Sequence, residues 1–200
     1  MIRTAGVVLC GGESSRMGRP KARLPFGDEL LLPRVVRLLS EVASPVVVVA
    51  ASGQDVPPLP AGVEIARDAE PGHGPLAGLC AGLAAVRGRA DAVYLSSCDV
   101  PFLRPAFVRR LIDLLGDHAI CVPEVGGTRH PLAAVYRVDV LALAARLLAT
   151  GRVGPVRLFD EVPTRIVTAE ELADVDAGLE SLRDLNTPAE YEAALRQAGV

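Results

Sequence analysis

The chain carries 21 lysines and arginines, and one of them is a lysine, Lys21. It closes the run LCGGESSRMGRPK, residues 9 to 21, behind the first apolar segment. In this composition a random basic site would be lysine about one time in twenty, so position 21 asks for an ammonium. An ammonium is a compact point charge that fits among phosphate oxygens, whereas the planar guanidinium suits bidentate edges. Gly11, Gly12 and Gly18 let the backbone approach a ligand closely and turn successive N–H groups toward an anion. The run reads as a phosphate loop with its lysine. Two further groups suit the same chemistry. Asp68 follows VEIAR and Asp99 follows AVYLSSC, and carboxylates converging on a phosphate loop can hold a magnesium ion against phosphate oxygens.

These residues must be positioned by the strands and helices around them. Short aliphatic runs at residues 5 to 10, 46 to 51, 63 to 66, 92 to 97 and 119 to 123 predict buried strands. Apolar residues at helical spacing predict helices over 30 to 41, 76 to 87 and 105 to 115. Strand and helix in alternation predict an α/β fold: a mostly parallel, Rossmann-like sheet with helices on both faces, in three α/β/α layers. Such a sheet binds ligands at the carboxyl ends of its strands, and Gly11, Asp68 and Asp99 all fall at strand ends. Residues 54 to 62, QDVPPLPAG, read as a loop, and residues 1 to 200 as one domain. Near the C-terminus, Thr187, Pro188 and Glu190 form a capping box with proline at the first helical position, so a helix starts there.

Composition narrows the partners. A net charge of −3 leaves no electrostatic footprint for nucleic acid, and no run approaches the length of a membrane helix. The four cysteines, Cys10, Cys80, Cys98 and Cys121, are scattered without a C-x-x-C pair, so they read as buried thiols in a reducing cytoplasm.

The loop matches neither common nucleotide signature, since Arg19 and Pro20 separate Gly18 from Lys21 and Gly11 adjoins Gly12. It does resemble the L-x-G-G-x-S-x-R-M-G-x-x-K signature of nucleotidyltransferases, specifically the molybdenum cofactor guanylyltransferases. Leu9, Gly11, Gly12, Ser15, Arg16, Met17, Gly18 and Lys21 fall on it, and Cys10 stands where relatives usually carry alanine. SSCDVPFL, residues 96 to 103, is similar to the family's cysteine-aspartate-x-proline segment, which implies that Asp99 binds magnesium. The same resemblance aligns Asp68 with a nucleotide-binding aspartate. Gly74, Pro75, Leu76, Ala77 and Gly78 resemble the family's GPLAG element, which implies guanine over cytosine, read with the backbone of Leu9, Cys10 and Gly11. His130, in GGTRHPLAAVY, is either a turn residue or part of the pterin side. Asn186 resembles the second asparagine of an N-x-N-T-P motif whose first is replaced by Asp184. Residues 140 to 180 match only in general pattern.

The resemblance implies transfer of GMP from GTP, with Mg2+, to molybdenum-bound molybdopterin, with release of pyrophosphate. It further implies a cytoplasmic protein and transient contact with molybdenum-insertion or acceptor proteins, and leaves the oligomeric state open. Lys21 and Asp99 would be catalytic. Gly12, Arg16, Gly74, Pro75 and Gly78 would join Leu9, Cys10, Gly11 and Asp68 around the nucleotide, and His130, Asp184 and Asn186 would line a pterin or other ligand pocket. A molybdopterin cytidylyltransferase, another small-metabolite nucleotidyltransferase and a non-catalytic nucleotide-binding protein of the same fold remain as alternatives. GPLAG counts against the first, and the presence of Lys21 and Asp99 against the last.

Overall fold

The computed structural model describes residues 2–11, 19–68, 74–151 and 154–200. Along the chain run β1 (Thr4–Leu9), β2 (Pro25–Phe26), β3 (Glu29–Leu30), α1 (Leu31–Ser40), β4 (Val46–Ala51), β5 (Glu64–Asp68), α2 (Gly74–Val86), β6 (Ala92–Ser97) and α3 (Pro105–Leu114). There follow β7 (Ile120–Val125), β8 (Thr128–Arg129), β9 (Ala133–Arg137), α4 (Leu141–Ala149), β10 (Thr164–Val167), α5 (Ala169–Leu172) and α6 (Pro188–Ala198). The predicted strands and helices are all present, with ends shifted by a residue or two.

One sheet runs in the order β10-β7-β9-β6-β1-β4-β5, with β8 attached to β7. Every pairing on that path is parallel except those of β9, which lies antiparallel to both β6 and β7. The mostly parallel sheet is therefore as expected, with one reversed strand at its centre.

Both faces are covered, and the alternation along each central strand shows how. Ala5 and Val7 of β1, Val47 and Val49 of β4, and Val93 and Leu95 of β6 pack with Leu76, Leu79, Leu83 and Val86 of α2 and with Ala144 and Leu147 of α4. The intervening Val8, Val46, Val48 and Tyr94 face Leu32, Val35, Val36 and Leu39 of α1 and Phe107, Val108 and Leu111 of α3. Strands buried on both faces read as unbroken apolar runs. Helix α2 comes unusually close to the sheet. A Cβ on Gly82 would sit 2.5 Å from Val7 Cγ1, and one on Gly78 would sit 2.9 Å from Leu9 Cδ2.

A third, smaller cluster ties the chain's end to its beginning. Leu24, Phe26 and Leu31 around the β2–β3 hairpin bury Leu185 and Ala194, with Tyr191 and Phe102 packed against them. The rings of Phe26 and Phe102 meet edge to face at 5.6 Å, and Tyr191 Oη donates to the carbonyl of Pro25. Among the described residues no helix is long and apolar enough to cross a membrane.

Candidate active site

Strand β1 delivers the glycine loop to the carboxyl edge of the sheet, and the backbone there is firmly held. The Cys10 N–H donates to the Val49 carbonyl at 2.9 Å. The Cys10 carbonyl accepts from Gln54 Nε2 at 2.7 Å, while Gln54 Oε1 accepts the Ala51 N–H at 3.0 Å. Gln54 thus stitches the ends of β1 and β4 together. Nothing in the sequence marks Gln54, which sits in a Pro-rich loop outside any motif. Gly12 and Arg16 lie outside the described residues.

The chain is described again from Arg19, and Lys21 opens a single 3-10 turn, Lys21–Arg23, closed by hydrogen bonds from Arg23 N–H to Pro20 and from Leu24 N–H to Lys21. From there the ammonium reaches two oxygens at once: Asp99 Oδ2 at 2.6 Å and Asn186 Oδ1 at 2.6 Å. Asp99 stands just past β6, where the Cys98 N–H donates to the Leu9 carbonyl at 3.0 Å and the Leu185 N–H donates to the Asp99 carbonyl at 3.0 Å. Its side chain is 9% exposed and that of Lys21 is 17% exposed. The second carboxylate oxygen, Asp99 Oδ1, is buried without a hydrogen-bond partner.

Asn186 owes its place to the helix that follows. The carboxylate of Glu190 accepts the N–H groups of Asn186 at 2.8 Å and Thr187 at 2.9 Å, and Thr187 Oγ1 accepts the Glu190 N–H at 3.2 Å. The capping box read from the sequence is therefore formed, and it also fixes the backbone of Asn186. Those two N–H groups hold the Glu190 carboxyl below its usual range, with a smaller contribution from the charge of Lys21.

On one side of Asp99 lie the groups expected around the nucleotide. Asp68 ends β5 beside Ala51 of β4, half-buried, and after burial its charge is the second cause of the rise of the Cys80 thiol to about 11. Gly74, at φ +68, begins α2, with Pro75 half-buried behind it. Gly78, expected beside the ligand, is buried against Leu9. Its missing side chain serves the approach of α2 to β1.

Across Asp99, toward β9, a cavity of about 190 Å3 is lined by Ser97, Arg129, His130, Leu132, Ser181 and Asp184, among others. His130 and Asp184 thus border one cavity. Burial lowers the His130 pKa from its ordinary value, and the Asp184 charge partly opposes that shift. A larger groove of about 430 Å3 borders Ala106, Arg109, Arg110 and Asp113 on the far face of α3 and contains none of these residues.

A cationic side chain between two hard oxygens, at the carboxyl edge of a mostly parallel sheet, is an arrangement suited to binding and polarising phosphate. Among the described residues no three His, Cys, Asp or Glu side chains gather as a metal cluster. A cation here would take few protein ligands and complete its shell with phosphate oxygens and water, the habit of magnesium.

Comparison with known proteins agrees with this chemistry. Residues 6–165 match the family of the MobA-like NTP transferase domain. A probable molybdenum cofactor guanylyltransferase of Carboxydothermus hydrogenoformans is 31% identical over 193 residues, covering 94% of this chain and 93% of that protein. The crystal structure of the molybdopterin-guanine dinucleotide biosynthesis protein A of Archaeoglobus fulgidus superposes with a TM-score of 0.80 at 21% identity, covering 98% of each chain. That of the Mycobacterium tuberculosis protein Rv0371c in complex with manganese superposes with a TM-score of 0.67 at 20% identity, covering 97% of this chain and 98% of that one. With the fold, the site at the carboxyl edge of the sheet and these similarities together, the chain belongs to the MobA-like NTP transferase domain family, and it is a nucleotidyltransferase.

Proposed function

We propose that the enzyme transfers GMP from GTP to the terminal phosphate of molybdenum-bound molybdopterin, forming the guanine dinucleotide and pyrophosphate. The observation that carries this reading is the bridging of Asp99 Oδ2 and Asn186 Oδ1 by Lys21 Nζ, at 2.6 Å from each. The names of the relatives supply the acceptor and the base. The nucleotide lies over Leu9, Cys10 and Gly11 toward Asp68, Gly74 and Pro75, with Gly12 and Arg16 in the same loop. Guanine is read by backbone groups at this edge, and unpaired buried groups would make cytosine costly. The acceptor enters from the cavity of His130 and Asp184.

The donor set suits a divalent cation, here Mg2+. Asp99 offers a buried oxygen with no hydrogen-bond partner, and Asn186 offers a neutral one beside it. When bound, the ion neutralises charge on the phosphate oxygens and fixes their geometry. Asp99 and Asn186 would hold it. Lys21 then exchanges Asp99 for the phosphates and stabilises the charge that grows on pyrophosphate. No side chain need remove a proton, because the attacking phosphate monoester is already anionic near pH 7. Catalysis is positioning plus electrostatics.

The four free cysteines suit a cytoplasmic enzyme, which would hand its product to acceptor proteins in transient contacts. The test is incubation with each nucleoside triphosphate, magnesium and molybdopterin, following pyrophosphate and dinucleotide. GTP should be preferred over CTP by orders of magnitude. Comparable kcat/KM for the two would reject guanylyl transfer.

A further inference from the structure

Among the described residues Asp176 is the most deeply enclosed charged side chain, 1% exposed. It lies outside every motif that pointed to the site. Its Oδ1 accepts the Glu180 N–H at 3.1 Å and its Oδ2 the Ser181 N–H at 2.8 Å. The Arg104 guanidinium comes within 3.3 Å of Oδ1. The Asp176 carbonyl accepts the Leu179 N–H at 2.9 Å. Inside this knot Leu179 takes φ +50, the one non-glycine residue with positive φ among those described. Such backbone persists only where its surroundings over-determine it. Ser181 Oγ in turn accepts the N–H of Arg104, the residue ahead of α3, at 3.0 Å.

The chain leaving the knot is the one that completes the site. Ser181, Leu182 and Asp184 line the acceptor cavity, Leu185 bonds the Asp99 carbonyl, and Asn186 meets the Lys21 ammonium. The hydrophobic cluster and the capping box of α6 anchor this segment from its far side. Its near side depends on the knot.

We propose that Asp176 is a positioning residue for the transfer: by holding the Glu180 and Ser181 N–H groups it sets where Asn186 meets Lys21 and where Asp184 faces the cavity. A carboxylate is required because both backbone donors must be accepted while a guanidinium is also paired. Asparagine offers one acceptor oxygen, and its amide nitrogen would face a second donor. The inference rests on the reading of Lys21, Asp99 and Asn186 as the phosphate centre.

The test is Asp176→Asn, followed by Asn186→Ala in the wild-type and Asp176→Asn backgrounds, with thermal melts alongside. Turnover of Asp176→Asn should fall roughly 10- to 100-fold, the scale of a small misplacement of a catalytic group. Asn186→Ala should cost much less in the Asp176→Asn background, because the two act through one contact. Full turnover with a lowered melting temperature, or the same loss from Asn186→Ala in both backgrounds, would overturn the proposal. Should Asp176→Asn fail to fold, Arg104→Gln removes a partner whose side chain is 55% exposed. A several-fold loss with the same non-additivity is then expected, and unchanged turnover would overturn the role. If the wild type made no dinucleotide, the transfer reading itself would fail. The same cycle would then be read on the affinity for magnesium–GTP, where additive effects of the two substitutions defeat the positioning role.

Discussion

Among the described residues two carboxylates are nearly removed from water, Asp99 at 7% exposure and Asp176 at 1%, and they are treated in opposite ways. Both oxygens of Asp176 accept backbone N–H groups and one also faces a guanidinium. Asp99 has one oxygen on Lys21 and the other without a hydrogen bond. Desolvating a carboxylate is costly unless its lone pairs are satisfied. A protein that saturates one and leaves the other short has reserved the second for something that arrives later. The difference separates a carboxylate that holds the chain from one that awaits a ligand.

The sharpest way to break this contrast is Asp99→Asn, which changes charge with almost no change of shape. Turnover should drop by about 10²- to 10³-fold or more, the scale of one preorganised electrostatic group, and added magnesium should rescue it only in part. An active variant with ordinary magnesium dependence would remove the metal site. Stability should divide the pair in the other direction. Asp176→Ala strands buried donors and a guanidinium, so it should cost about 3–5 kcal/mol, on the order of 10 °C in a melt for a chain of this size. Asp99→Asn should shift stability by less than about 1 kcal/mol, since functional sites are not stability optima. Equal losses in the two variants would erase the distinction.

Lys21 sharpens the contrast from the cation's side. Its ammonium occupies the space between Asp99 and Asn186, so it competes with any metal that comes without phosphate. Mn2+ titrated in the absence of nucleotide, followed by electron paramagnetic resonance, should bind Lys21→Ala about tenfold more tightly than wild type, the scale of one nearby charge. The same variant should turn over 10²- to 10³-fold more slowly, roughly as Asp99→Asn does. Equal Mn2+ affinity would show that the ion sits elsewhere.

The smallest effect concerns His130, which faces Asp184 across the cavity. Burial puts its folded-state pKa below the unfolded value, so the unfolded chain binds more protons in that window. Its contribution to stability is present above the unfolded pKa and is lost as pH falls through the folded one. Melting temperatures from pH 7.5 down to pH 5 should therefore decline less steeply in His130→Gln. An identical slope would mean that the Asp184 charge fully offsets burial.

Much of this was legible in the chain, for identifiable reasons. Strands buried on both faces must be continuously apolar, so β1, β4 and β6 announce themselves. The reversal of β9 does not, because AAVYR looks the same in either direction and only its neighbours fix its sense. Lys21, Asp99 and Asn186 were each singled out by type and context. Their meeting is tertiary, across 78 and 165 positions. Asp176 was invisible, since DVDAGLES reads as a solvated acidic turn until Arg104 and two backbone donors are folded onto it. The packing use of Gly78 against Leu9 was not legible, because a glycine that admits a ligand and one that admits a leucine carry the same letter.

The clasp between Lys21 and Asn186 also has a history in time. Synthesis proceeds from the N-terminus at about 5–20 residues per second, so the 165 positions between the two partners correspond to roughly 8 to 33 seconds. Through that interval β1, Lys21 and finally Asp99 can emerge and gather at their sheet edge while Asn186 has yet to be made. A stalled or truncated chain would then have the central strands and the ammonium but no second oxygen, and would be a poor consumer of nucleotide. Activity would switch on only once the Asn186 segment had been made, which makes the order of translation a safeguard against half-built enzyme.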